Sequence, residues 1–173
     1  NNSWEWSGGY GYYLEQAGFG KAPLPSIDGY SAFRNFVAKY ASCEKAHQLF
    51  YDYVKFILTR TNRYTKKKYK DDPAIMSWQI GNEPRAFSKE QLPAFEKWLG
   101  EASKLIRSLD KNHLISIGSE GKWGCEGELN CWERICADKN VDYCNIHLWP
   151  YNWSWARKDH LQEDLGISCQ NTK

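Results

Sequence analysis

The sequence predicts an α/β fold in which parallel strands alternate with helices, a single domain over residues 1–173 that forms part of a TIM-type (β/α)8 barrel. Three observations predict it. A helical stretch, a polar link, an apolar run and then polar or aromatic residues recur as a unit three times between Ala46 and Pro150, the pattern of parallel strands joined by right-handed crossovers. Each apolar run ends in residues able to do chemistry, and no Gly-rich phosphate loop occurs. A closed barrel gathers such groups at all its strand ends, whereas an open sheet concentrates them at one switch point. Finally, a whole barrel needs roughly 250 residues, so 173 residues with three strands are expected to be an incomplete one.

The elements follow in order. Asn1 to Tyr10 has no helical or alternating period, contains Gly8 and Gly9, and reads as a loop carrying Trp4 and Trp6. Tyr12 to Lys21 and Pro23-Leu24-Pro25 show no regular signal. Ala46, Leu49, Phe50, Tyr53, Val54, Ile57 and Leu58 then recur at three- and four-residue steps, predicting an amphipathic helix that ends near Asn62. Ile75 to Ile80, short and mostly apolar between Pro73 and Gly81, predicts a central strand covered on both faces. Pro84 restricts Glu83 to extended conformations and turns the chain out of the sheet, which places the carboxylate at the strand's carboxyl end. Ser88 to Asp110 is helical, with Leu92, Phe95, Leu99, Ala102, Leu105, Ile106 and Leu109 on one stripe. It starts either at a Ser88/Gln91 capping box or at Pro93. Asp110-Lys111-Asn112 leads into a strand from His113 to Gly118, ended by Ser119-Glu120-Gly121. A weaker helix around Asn130 to Ala137 and the link Asp138-Lys139-Asn140 precede a strand from Val141 to Leu148, ended by Trp149-Pro150.

Composition narrows the function. The net charge is +2, and the basic run Lys66-Lys67-Lys68 with Lys70 is followed at once by Asp71-Asp72, so a solvated loop is expected and no nucleic-acid surface. No apolar run approaches the roughly 18 residues of a membrane span. A chain beginning at Asn1-Asn2 is expected to be processed, trimmed or a fragment. Nine Trp and eleven Tyr are the outlier, and many of these rings are expected to do something other than fill a core. Flat faces with polar edges suit stacking on sugar rings. Trp4/Trp6, Trp123 and Trp149/Trp153/Trp155 all follow strand ends. The six cysteines, Cys43, Cys125, Cys131, Cys136, Cys144 and Cys169, hint at an oxidising compartment. Zinc on Cys125, Cys131 and Cys136 competes with disulfides or free thiols, although no CxxC pair or nearby His completes a set. The sequons Asn1-Asn2-Ser3 and Asn152-Trp153-Ser154 permit glycosylation in a secreted eukaryotic protein.

Glu83 carries the strongest chemical case. A partly desolvated carboxyl beside Asn82 at a strand end has a raised pKa and can serve as a general acid near neutral pH; the competing reading is an ion pair with Arg85 that caps the strand. Glycoside hydrolysis needs two such carboxyl groups, about 5–5.5 Å apart for retention. Glu120, on the next strand end, is either the partner or a binding residue in a Gly-flanked turn. His147, beside Trp149, suits a hydrogen bond to a carboxylate or a sugar hydroxyl, and a structural role is the alternative.

Trp78-Gln79-Ile80-Gly81-Asn82-Glu83-Pro84-Arg85 resembles the Asn-Glu-Pro signature of glycoside hydrolase family 5, and with Arg85 that of its endo-β-1,4-mannanases. Asn1 to Gly9 resembles the loop after the third strand of that barrel, and His147-Leu148-Trp149-Pro150 with Trp153 resembles the end of the sixth. The resemblance implies a barrel fragment from the end of strand 3 to just past strand 6. It further implies a retaining hydrolase of β-mannan, glucomannan or galactomannan, with a cellulase-like β-1,4-glucanase or a non-catalytic carbohydrate-binding protein as alternatives. By that resemblance Glu83 is the acid/base, Asn82 contacts the sugar 2-hydroxyl, His147 supports the carboxylate pair, and Trp4, Trp6, Glu120, Trp149 and Trp153 line the substrate. Trp149 stands where many relatives carry Tyr. No metal or organic cofactor is implied, and no membrane or nucleic-acid partner. The family nucleophile, a second Glu at the end of the seventh strand, is expected beyond Lys173; Glu163 lies in a helical pattern and is not a candidate. The chain alone is expected to be extracellular, inactive and prone to self-association through open barrel edges.

Overall fold

The computed structural model describes residues 2–5 and 8–171. In chain order these form α1 (Tyr10–Ala17), α2 (Pro25–Asp28), α3 (Tyr30–Val37), α4 (Glu44–Thr59), β1 (Ser77–Gln79), α5 (Leu92–Leu109), β2 (Leu114–Ser116), α6 (Leu129–Cys136) and α7 (Leu161–Asn171). The alternation βαβ is present, with β1 and β2 parallel in the register Ser77–Leu114, Trp78–Ile115 and Gln79–Ser116. Backbone pairing continues past the strands: Ile80 donates to Ser116 at 3.1 Å and Glu83 to Gly118 at 2.8 Å.

Two sequence expectations fail at the sheet. The strand from Ile75 to Ile80 shortens to three residues and is not covered on both faces: Ile80 is buried, but Gln79 is exposed and Met76 is 72 % exposed. Trp78 and Ile80, two residues apart, share the face that packs on α4 and α5, while among the described residues no strand lies opposite the other face. The expected strand from Val141 to Leu148 does not form. Its backbone reaches the β2 chain at Asp142 (to Ile115 O, 2.9 Å) and His147 (to Ser119 O, 3.0 Å). Between those points side chains displace the ladder: Asp142 Oδ2 accepts from Ile115 N at 2.7 Å and Asn145 Oδ1 from Gly118 N at 3.0 Å. The Cys136–Cys144 disulfide ties this segment to the end of α6. It also removes Cys136 from any zinc set, and Cys125 and Cys131 remain buried thiols.

The helices α4 and α6 match expectation within a turn. α4 stops at Thr59 rather than Asn62 because Arg60 turns extended and Thr61 pairs with Lys68 in a small hairpin. α5 begins with Leu92-Pro93; the Ser88/Gln91 box does not form, and Ser88 instead donates to Glu90. The stretch Tyr12 to Lys21, expected to be irregular, holds most of α1. Tyr10, Tyr13, Leu14 and Ala17 lie on one face of it, and Gly18 at φ +102° ends it by capping the Glu15 and Leu14 carbonyls.

Part of the aromatic content packs the core, while Tyr12, Tyr30, Tyr53, Tyr64, Trp123, Trp149 and Tyr151 stay exposed, in keeping with the expectation that many rings do something other than fill a core. Trp98 of α5 is fully buried, with ring centroids of Tyr40 at 5.1 Å, Phe50 at 5.6 Å and Tyr10 at 5.7 Å, and Tyr10 stacks on Tyr40 at 4.0 Å. Edge-to-face and offset packing of this kind adds to simple burial. Below the sheet, buried Asp110 accepts from Trp78 Nε1 and His113 Nδ1, each at 2.7 Å, which fastens the end of α5 to both strands. Burial pushes the Asp110 carboxyl up, but these bonds and the Asn112 amide outweigh it and hold it below its usual value. Core and clasp together fix where β1 and β2 deliver their carboxyl ends.

Candidate active site

Glu83 leaves β1 at the carboxyl end, as its sequence position implies, but not extended. Its φ is +50°, the left-handed region, although Pro84 follows. Gly118, at φ +85°, lets the two chains close here, since a Cβ on it would collide with the Gly81 carbonyl oxygen. On the other side the 2–4 loop lies against Asn82: Ser3 N donates to Asn82 O at 3.4 Å. Ser3 itself is fully buried; its hydroxyl donates to the Glu83 carbonyl oxygen and accepts from the Arg85 amide at 3.1 Å.

Three donors from distant parts of the chain converge on the Glu83 carboxylate, which is 7 % exposed. Trp149 Nε1 donates to Oε1 at 2.7 Å, His147 Nδ1 to the same oxygen at 3.1 Å, and Trp4 Nε1 to Oε2 at 3.1 Å. Burial pushes this carboxyl up, but the bonds from Trp149, His147 and Trp4 together outweigh it, so the pKa lies below the usual glutamate value and not above it as expected. Replacing Trp149 by Phe removes one donor at little cost in volume, and the Glu83 pKa is then expected to rise. The stability that a lowered carboxyl pKa contributes is present above the unfolded value and lost as pH falls through the folded one. Trp149→Phe should narrow that window from below, which a carboxyl-carbon NMR titration of Glu83 beside an acid-denaturation curve would show.

Arg85 does not pair with Glu83. Its guanidinium is bound in bidentate fashion to Glu120, with Nη2 to Oε1 at 2.7 Å, and lies 5.2 Å from the Trp4 ring centroid. Glu120 is 2 % exposed with both oxygens engaged, so it reaches the site through Arg85 rather than facing a ligand, and it does not stand as a second free carboxylate. Asn82 is exposed beside Glu83, its amide 3.5 Å from Asn2 Oδ1. Trp153 packs on Trp155 at 4.6 Å and on Trp123 at 5.9 Å, forming an aromatic group on the loops after β2 and after Trp149. Trp6 lies outside the described residues. Glu163 sits on α7 in ion pairs with Arg157 and His160.

Sequence reading missed Ser3, Trp155 as the buried member of the tryptophan group, and Arg85 as a partner of Glu120. The adjacency of Ser3 to Trp4 and the Trp-x-Trp spacing at 153–155 were the only signals. Among the described residues no three His, Cys, Asp or Glu side chains gather into a metal-holding group.

A buried carboxyl at the ends of parallel strands, framed by tryptophans within a partial (β/α)8 barrel, is an arrangement of the kind that glycoside hydrolase barrels present. The family model described as GH family 5 beta-mannosidase-like matches residues 1–173, and the chain belongs to that family. It is 34 % identical over 161 residues to mannan endo-1,4-beta-mannosidase 4 of Solanum lycopersicum, covering 88 % of this chain and 38 % of the relative. Mannan endo-1,4-beta-mannosidase 7 of Arabidopsis thaliana is 31 % identical, with 95 % and 38 % covered. A solved glycoside hydrolase family 5 mannosidase mutant from Rhizomucor miehei, in complex with mannosyl-fructose, superposes with a TM-score of 0.77 at 33 % identity, over 90 % of this chain and 36 % of that one. The chain thus spans little more than a third of the length of these relatives.

Proposed function

We propose that this chain is the central part of a secreted, retaining endo-β-1,4-mannanase acting on β-mannan, glucomannan or galactomannan. The observation that carries the reading is the Glu83 carboxyl held by Trp4, His147 and Trp149 at the strand ends, with Asn82 beside it. In this mechanism Glu83 protonates the departing glycosidic oxygen and then takes a proton from water, while Asn82 binds the sugar 2-hydroxyl, Trp4 holds the carboxyl through its indole N–H, and Trp153 offers a face to a sugar ring. The nucleophile is a glutamate from a later strand, so 173 residues alone give little or no hydrolysis. That second carboxylate has an electrostatic task as well. Glu83 with its three donors favours the charged form, and a like charge nearby raises its pKa toward the range in which it can serve as an acid. The open edges of a part-barrel lead to self-association unless the remaining strands cover them.

An exo-acting β-mannosidase is the second reading, favoured by the beta-mannosidase-like family description and by the mannosidase complex above. The test is product analysis with the full-length protein on ivory-nut mannan, galactomannan, glucomannan and carboxymethylcellulose. Manno-oligosaccharides of mixed length with a rapid fall in viscosity are expected. Mannose as the sole product establishes the exo reading, and preferential cleavage of carboxymethylcellulose overturns mannan specificity.

A further inference from the structure

We infer that Ser3 is a positioning residue for Glu83, holding its backbone in the conformation from which the carboxyl reaches the scissile bond. This inference rests on the reading of Glu83 as acid/base. Left-handed backbone is costly for a residue with a Cβ, and the residue before a proline is normally pushed to extended angles. Glu83 is in that unfavourable region, so the surroundings must over-determine it. Two contacts do so from the backbone side: the Glu83 amide is tied to Gly118 O at 2.8 Å, and the Ser3 hydroxyl bridges the Glu83 carbonyl and the Arg85 amide across Pro84. The bridge spans the very peptide units that an extended Glu83 would rotate apart.

Ser3 is suited to this and to little else. It is wholly buried, at 0 % accessibility, and both its bonds go to backbone atoms of the 83–85 turn. The next residue, Trp4, holds the carboxylate of the same glutamate at 3.1 Å. Consecutive residues of one loop therefore grip consecutive parts of Glu83, Ser3 its main chain and Trp4 its side chain. Without the hydroxyl, the 83–85 turn is free to relax toward the extended region, and the carboxyl swings away from the indoles of Trp4 and Trp149.

The test compares two substrates in the full-length protein. With mannopentaose the leaving sugar needs a proton; with 2,4-dinitrophenyl β-mannobioside the leaving phenolate does not. Ser3→Ala is expected to lower kcat/KM on mannopentaose about 10- to 100-fold, the scale produced by a small misplacement of a reacting group, and to leave kcat/KM on the dinitrophenyl glycoside within about twofold. In the same variant the Glu83 carboxyl, titrated by carbon NMR, should move up toward its ordinary value as indole bonds are lost. Equal losses on both substrates point to general damage to the fold and overturn the inference, as does unchanged turnover of both. Glu83→Gln run alongside separates the other failure: if it cleaves mannopentaose at the wild-type rate, the acid/base reading itself is wrong.

Discussion

Replacing Glu83 by Gln in the full-length protein is expected to cut kcat/KM on β-1,4-mannan by about 10²–10⁴-fold, the range that general acid–base catalysis supplies. Gln keeps the volume and can still accept from Trp149 and His147 at one atom, so the loss reports the proton and not a collapsed site. Its amide nitrogen, however, faces the Trp4 indole N–H, two donors opposed, and Glu83→Ala serves as the control for that local conflict. The pH profile carries the sign. An acid must be protonated to act, so the wild-type rate falls as pH rises through the Glu83 pKa, and this alkaline limb should vanish in both variants. Hydrolysis of mannan by Glu83→Ala at more than a tenth of the wild-type rate would remove Glu83 from the mechanism.

The largest stability effect is expected at Trp98. Truncation to Ala opens a cavity walled by Tyr10, Tyr40, Phe50 and Phe95 and should cost about 3–5 kcal/mol, out of the roughly 5–15 kcal/mol typical of a folded domain. The indole N–H of Trp98 has no hydrogen-bond partner, so the penalty is one of packing alone. Trp98→Phe, which refills most of the space, should therefore cost clearly less than Trp98→Ala. Urea unfolding of the two variants measures the difference, and equal losses would mean that ring contact is not what holds α5 in place.

Legibility from the sequence followed the range of the interaction. The helices α4, α5 and α6 and the place of Asn82-Glu83 at the end of a strand were readable because their signals are local: apolar spacing, a proline, a strand bounded by Pro73 and Gly81. α1 was not legible, although Tyr10, Tyr13, Leu14 and Ala17 have helical spacing, because eight residues are too short a run for that period to stand out. The strand from Val141 to Leu148 was read on apolar content, yet Asp142 and Asn145 satisfy neighbouring amides with their side chains and break the ladder. The direction of the Glu83 pKa was misjudged for a different reason. Desolvation follows from a buried strand end, but the donors that outweigh it lie 79, 64 and 66 residues away. Likewise, nothing local told Arg85 to choose Glu120 over its neighbour two positions back.

The bond between Cys136 and Cys144 acquires a meaning from the weak ladder it spans. Few backbone bonds secure the segment that brings His147 and Trp149 to Glu83, so by hydrogen-bond count it belongs to the part of the molecule most ready to open locally while the rest stays folded. The covalent tie makes that opening cooperative with α6. In a reducing environment the segment would breathe independently, Glu83 would keep Trp4 as its remaining donor, and the carboxyl would bind its proton more tightly. Reduction of the bond is therefore expected to loosen the hold of His147 and Trp149 on Glu83, which hydrogen exchange of the 141–149 amides with and without reductant would show.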